Sequence, residues 1–193
     1  MSEAIEPFST KLNFRVRAVL EKYNLKAEIR LSNSKVFFHY DDAVSKILAT
    51  GKDPVIYEYY ENSQPSVEGH LNFGVTVIYP GKIGKEYFMT RGHYHAKEGT
   101  AEVYYGLKGE GIMLLQTRKG ESKWIQVTPG QAAYVPPFWA HRTVNTGNNR
   151  LYVLFAYPSD SGHDYGTIKQ KGFPKLVVEE RGKPKIVDNP SFK

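Results

Sequence analysis

Thr90-Arg91-Gly92-His93-Tyr94-His95, followed by Glu102-Val103-Tyr104 and closed by Gly109, is the stretch on which the reading of this chain turns. His93 and His95 stand two residues apart. On an extended strand such residues share a face, so both imidazoles aim at one point. Glu102 follows seven residues after His95 and reaches that point only if the chain reverses in between. The polar run Ala96-Lys97-Glu98-Gly99-Thr100-Ala101, with one glycine, suits such a reversal. The pattern is that of three metal ligands awaiting a fourth. The chain has no cysteine, so thiolate ligands and disulfides are both excluded, and a metal must be held by His, Asp, Glu or backbone oxygens.

Outward from this stretch the chain is almost all strand and turn. Leu71 to Tyr79 alternates, with Leu71, Phe73, Val75, Val77 and Tyr79 on one face and Asn72, Gly74 and Thr76 on the other. Val55 to Tyr60 is aromatic and β-branched. Further strands are expected at 86–90, 102–107, 112–116, 124–127, 131–135, 142–145, 151–157 and 176–180. Turn signals punctuate them, among them Pro80-Gly81, Gly109-Glu110-Gly111, Pro129-Gly130 and Thr146-Gly147-Asn148-Asn149. Upstream, Phe14–Leu20 and Ala27–Leu31 alternate as half-buried strands. Asp41 to Gly51 reads as a short helix with acidic capping residues and a terminating glycine. Short strands at this spacing predict an all-β sandwich or barrel.

Composition agrees. The 193 residues suffice for one substantial core, and 14 Tyr, 10 Phe, 17 Gly and 11 Pro suit short strands and tight turns. We expect a single domain over 1–193, with an extension over 1–50, a barrel core over 51–165, and a last strand and polar tail over 166–193. The formal charge is +6, but Lys and Arg are scattered singly among Asp and Glu. This favours a solvated surface over a nucleic-acid partner. No apolar run approaches a membrane span, and Met1 to Glu6 lacks the features of a signal peptide. The expectation is a soluble cytoplasmic protein.

A second constellation is Pro136-Pro137-Phe138-Trp139-Ala140-His141, with Asn145 four residues on. Proline cannot donate to a sheet ladder, so Pro136-Pro137 belongs at a bend or edge. A strand ending at Val135, a proline corner, and His141 opening the next strand would return that histidine over the sheet. Alone, His-x-His in a tyrosine-rich β protein is more often surface or core than ligand. Glu102 and the element carrying His141 reverse that weighting.

These two motifs resemble those of the cupin superfamily of small β-barrels. The resemblance implies a cupin (double-stranded β-helix or jelly-roll) barrel with an N-terminal extension of strands and a short helix. It also implies one divalent metal per subunit, held by His93, His95, Glu102 and His141. Two departures stand out. General cupins place the glutamate three or four residues after the histidine pair, where this chain has Gly99 or Thr100. Motif two usually carries glycine where this chain has Phe138. Glu98 is a rival to Glu102, but only Glu102 has its closing glycine at the expected spacing. Three imidazoles and a carboxylate suit Fe²⁺ foremost, or Ni²⁺, Mn²⁺, Co²⁺ or Zn²⁺.

The pattern from Thr76 through Pro80, Gly84, Glu86, Thr90, Gly92, His93, His95, Glu102 and Tyr104 is narrower. With Pro136-Pro137, His141 and Asn145, it resembles the cupin-type phosphoglucose isomerases of archaea. Asp53-Pro54-Val55-Ile56-Tyr57, Tyr157-Pro158 and Gly162-His163-Asp164-Tyr165-Gly166-Thr167 extend the likeness from about residue 50 onward. It implies interconversion of glucose 6-phosphate and fructose 6-phosphate, in glycolysis and gluconeogenesis, with the metal at substrate O1 and O2. It also implies a homodimer with exchanged N-terminal strands. Tyr57, Thr76, Thr90, Gly92, Tyr157 and His163 are the family-matched contacts for substrate and phosphate. Glu102, Tyr104 and His141 are the matched catalytic residues. An enediol route, with Glu102 or Tyr104 as base, and a direct hydride shift both remain open. Competing readings are an Fe²⁺ dioxygenase on the same ligand set and a sugar-binding or storage cupin.

Overall fold

The computed structural model describes residues 5–13 and 20–192. In chain order the elements are β1 (Leu25–Arg30), α1 (Leu31–Ser34), a 3₁₀ turn (Lys35–Phe37), α2 (Asp41–Ala49), β2 (Val55–Asn62), β3 (Leu71–Ile78), β4 (Lys82–Ile83) and β5 (Glu86–Tyr87). They continue with β6 (Glu102–Lys108), β7 (Gly111–Thr117), β8 (Ser122–Val127), β9 (Ala132–Val135), β10 (Trp139–Asn145) and β11 (Leu151–Pro158). Last come α3 (Gly166–Lys171), β12 (Lys175–Glu180) and β13 (Lys183–Asp188). The expected strand Phe14–Leu20 lies, but for Leu20, outside the described residues.

Three antiparallel sheets form: β1-β2-β3-β11-β6-β9, then β10-β7-β8, then β13-β12-β5-β4. The first two face each other across an internal cavity, the arrangement expected of a cupin barrel. Isolated bridges Met89↔Val144 and His93↔His141 lay the stretch 89–93 along β10 and so bring the first histidine motif against the second. The strand expected over 86–90 is therefore split. Only Glu86 and Tyr87 form a regular pair, and the remainder follows β10 as single bridges. α2 opens on Asp41 and Asp42, but the capping position is Tyr40, with no side-chain cap bond. The two aspartates serve the helix dipole from its first turn instead. β13, within the expected polar tail, pairs with β12 along its whole length. Its alternation is masked by Lys183, Pro184 and Lys185.

The polarity of β3 is the feature that positions the site. Its apolar face does not line the barrel. Val75 and Val77 pack outward with Tyr60, Tyr152 and Leu20, partly covered by Leu12. The opposite face, with Asn72 and Thr76, lines the cavity. Burial of aliphatic surface on the outside leaves the inside free for polar chemistry. The larger apolar core fills the rest of the barrel and the space beneath α2, α3 and β12. Among the described residues no helix is long and apolar enough to cross a membrane.

Candidate active site

β6 alternates buried and exposed, so Glu102 and Tyr104 point inward while Val103 and Tyr105 point out. β10 starts at Trp139, so His141 is its third residue rather than its first. Immediately before the strand stands Phe138, whose φ of 71° lies in the left-handed region. That is the conformation glycine adopts without cost. Phe138, where the usual motif has glycine, thus holds a backbone conformation that favours glycine.

His93, His95, Glu102 and His141 converge, with one ligand atom from each lying within 4.8 Å of all the others. Glu102 Oε2 sits 3.1 Å from His95 Nε2 and 3.0 Å from His141 Nε2. Glu98 is elsewhere: its carboxylate accepts from Arg118 Nε at 2.7 Å on the surface. Burial pushes the Glu102 carboxyl up, but the imidazoles of His141, His95 and His93 prevail and hold it below the ordinary carboxylate range. Burial, reinforced by the neighbouring His141 and His163, pushes His93 down and keeps it neutral.

The donor set fits a metal on the structure's own terms. His95 Nδ1 lies 2.8 Å from Thr100 Oγ1 and 3.1 Å from the Thr100 carbonyl. The Thr100 hydroxyl proton is already given to the Lys97 carbonyl at 2.7 Å. Both partners of Nδ1 are therefore acceptors, so Nδ1 carries the proton and Nε2 keeps a lone pair. That lone pair faces a carboxylate oxygen, an arrangement that asks for a cation between them. His93 Nε2 is buried without a hydrogen-bond partner, a second open ligand position. Outer partners of this kind orient ligands and raise their basicity.

The four groups sit at one wall of a cavity of about 410 Å³. His93, Glu102, Tyr104 and His141 line it; His95 stands behind them. Tyr57, Thr76, Thr90, Gly92, Tyr157 and His163, taken from the sequence as substrate contacts, all line the same cavity. The Tyr104 hydroxyl is 3.0 Å from His141 Nε2. Burial and the Glu102 charge push its pKa well up, so it stays protonated. Thr90 Oγ1 accepts from the Thr143 N–H at 3.1 Å, which leaves its own hydroxyl proton free to donate. Tyr157 donates to Glu61 Oε2 at 2.9 Å. The His163 ring lies 4.4 Å from that of His93.

Asn145, the last residue of motif two, does not face the cavity. Its Nδ2 donates to the carbonyls of Ile78 and Asn149, both at 2.9 Å, and its Oδ1 accepts from the Gly147 N–H at 3.0 Å. It closes the barrel end. Arg118, outside the cavity lining, donates to Glu98, Thr167 and Asp164 and covers the Tyr94 ring at 4.3 Å. It thereby ties the loop between His95 and Glu102 to the one that carries His163.

Several cavity residues escaped the sequence. Tyr59 and Glu61 lie two and four residues beyond Tyr57 on β2, and Thr143 lies two beyond His141 on β10. Strand alternation alone would have found all three. Arg91 was passed over as well, although it stands two residues before His93 and alternation places it on the histidines' face.

The model of the family described as Glucose-6-phosphate isomerase (GPI) matches residues 30–191. The chain is 57% identical over 164 residues, 85% of it and 86% of the relative, to a protein of Thermococcus kodakarensis named glucose-6-phosphate isomerase. It is 53% identical over 188 residues, 97% of it and 98% of the relative, to one of the same name from Pyrococcus horikoshii. Among solved structures, oxalate decarboxylase from Bacillus subtilis aligns over 54% of this chain and 26% of its own, with TM-score 0.45 and 22% identity. The family match extends over both histidine motifs, the strands that carry them and the loop bearing His163; the chain belongs to the glucose-6-phosphate isomerase family.

Proposed function

We propose that the chain interconverts glucose 6-phosphate and fructose 6-phosphate as a step of glycolysis and gluconeogenesis. The observation that carries this is one cavity pairing two different sets of groups. A cluster of three imidazoles and a carboxylate stands beside a wall of neutral hydroxyl and amide donors. His93, His95, Glu102 and His141 would hold one divalent ion, Fe²⁺ foremost. Such an ion supplies Lewis-acid polarisation at the substrate's O1 and O2. The Thr76 and Thr90 hydroxyls and the Gly92 N–H take the phosphate, and Tyr57 closes that end. Tyr157 and His163 contact the sugar chain. The Tyr104 hydroxyl, held protonated, serves as a donor to charge developing on the substrate oxygens.

Glu102 and Tyr104 are poorly suited to act as a base. Glu102 is engaged by two imidazoles and weakened by any ion it holds, and Tyr104 keeps its proton. We therefore favour direct passage of hydrogen between C1 and C2. Turnover in deuterated water is expected to leave C1 and C2 of recovered substrate unlabelled; incorporation of deuterium would assign an enediol route.

We place the protein in the cytoplasm as a homodimer. The outer face of the six-stranded sheet supports the dimer, because Val103, Tyr105, Tyr134 and Leu71 are exposed there, Tyr134 at 60% and Leu71 at 58%. The central test is a coupled assay on glucose 6-phosphate with and without chelator, followed by add-back of single metals. Activity indifferent to chelation would overturn the metal assignment, and no activity under any loading would overturn the isomerase reading.

A further inference from the structure

The phosphate-binding wall described above is made of neutral donors, yet a phosphate monoester is close to a dianion at neutral pH. Taking such a charge into a partly closed cavity without a cation is costly. Among the described residues that line the cavity, Arg91 is the one Lys or Arg. It follows Thr90 and precedes Gly92, two of the groups assigned to the phosphate. Its side chain is held on one side by a hydrogen bond from Nη2 to the Asn33 carbonyl at 2.7 Å, and its guanidinium lies 5.8 Å from the Phe37 ring. Its Nε is buried with no hydrogen-bond partner. A buried N–H left unpaired is costly, and an oxyanion is the acceptor that recovers most. The Arg91 charge also acts on the Tyr57 and Tyr59 hydroxyls, against the burial that pushes both up.

The opposite end carries the opposite charge. Glu61 lies four residues beyond Tyr57 on β2, about 13 Å along the strand at ~3.3 Å per residue. Glu61 lines the cavity too, with its carboxylate taken up by Tyr157 and Ser63. Outside the metal cluster, Arg91 and Glu61 are the only Asp, Glu, Lys or Arg among the described lining residues.

We propose that Arg91 is the charge partner of the substrate's phosphate. With Glu61 at the far end, it sets the direction in which a sugar monophosphate lies across the metal cluster. This rests on the sugar-phosphate reading above and adds to it a specificity-determining residue. It also makes the N-terminal segment part of the substrate site. The Asn33 carbonyl that steers Arg91 belongs to α1, which is pinned by Ser32 N and Oγ donating to the Asp53 carboxylate at 2.9 and 2.7 Å.

The test compares the metal-loaded wild type with Arg91→Gln and Arg91→Lys. For Arg91→Gln, KM for glucose 6-phosphate and Ki for inorganic phosphate are expected to rise together by about 10- to 100-fold. The expected kcat stays close to wild type, as does inhibition by the uncharged polyol sorbitol. Arg91→Lys, which keeps the charge but not the fork, is expected to recover much of the loss. KM and phosphate Ki unchanged in a folded, metal-replete Arg91→Gln would overturn the proposal. Should the variants fail to fold, phenylglyoxal labelling of wild type, mapped by mass spectrometry, gives an independent answer. Inorganic phosphate is expected to protect Arg91 and not Arg118; equal labelling of Arg91 with and without phosphate overturns the assignment. An inactive wild type whose Arg91 is still protected would count against the isomerase reading and not against this one.

Discussion

Arg142 donates two hydrogen bonds to the backbone carbonyl of Arg91, from Nε at 3.2 Å and from Nη2 at 2.7 Å. The guanidinium is fully buried, lies 4.6 Å from the Phe173 ring, and stands one residue after His141 on β10. A side chain facing away from the cavity thus grips the turn that delivers Gly92 and His93 into it. The two histidine motifs are coupled by this contact as well as by the bridge between His93 and His141.

Arg142→Met should therefore act on both fold and site. It leaves the Arg91 carbonyl without its donors, and a cost of about 2–4 kcal/mol is expected in denaturant unfolding. Metal affinity should fall as well, because His93 is no longer anchored. An unfolding midpoint equal to wild type would show that another donor replaces Arg142.

Glu86 gives a pH dependence of stability. Burial raises its carboxyl to about 7, against the opposing charge of Arg142 and a hydrogen bond from the His39 N–H. Between the ordinary carboxylate range and about pH 7, the folded state keeps this proton and the unfolded state loses it. Stability from this group is thus greatest at low pH and falls as pH rises through that window, by about 3 kcal/mol in all. Glu86→Gln keeps the acceptor for His39 and removes the charge. Its unfolding free energy should exceed wild type at pH 8 and converge with it near pH 5.

Gly92→Ala and Phe138→Gly should move stability in opposite directions. An added Cβ at Gly92 would lie 2.7 Å from Phe173 Cε2 and 3.0 Å from both Arg142 Cβ and the His141 carbonyl, at a φ of +75°. A loss of about 2–4 kcal/mol is expected, together with weakened metal binding. Phe138 already occupies a glycine conformation with its side chain 61% exposed. Relief of the left-handed strain, roughly 1–2 kcal/mol, offsets the entropy cost of glycine. Phe138→Gly should melt at or above the wild-type temperature in calorimetry.

Thr100→Val removes the hydroxyl acceptor that helps keep the His95 proton on Nδ1. Metal affinity is expected to drop by about 10- to 100-fold with little change in unfolding free energy. Competition with a chelator of known affinity measures it; an unchanged affinity would assign the tautomer to the Thr100 carbonyl alone.

Much of the site was legible because its parts are short-range. Two histidines at i and i+2, a carboxylate after a reversal, and a histidine after a proline corner are each local patterns that strand geometry turns into directions. Asn145, by contrast, belongs to the same motif yet ties carbonyls together at the barrel end. A motif records what a position requires without saying whether the requirement is chemical or structural. The apolar stripe of β3 shows the same limit. Alternation revealed two faces, and only packing against Tyr60 and Tyr152 decided that the polar one lines the cavity.

By itself the sequence determined the β class and the shared face of His93 and His95, while the resemblance to cupin motifs added His141 and the preference for Glu102 over Glu98. The first two rest on backbone periodicity, which dictates which side chains share a face; the others rest on motif spacing. The tertiary structure decided that Arg142 grips the Arg91 carbonyl, that the Asn33 carbonyl takes the Arg91 guanidinium, and that Arg91 and Glu61 line one cavity. Those relationships join residues from α1, β2, β10 and the turn at Gly92. They arise from contacts between segments far apart in the chain, which no periodicity along it encodes.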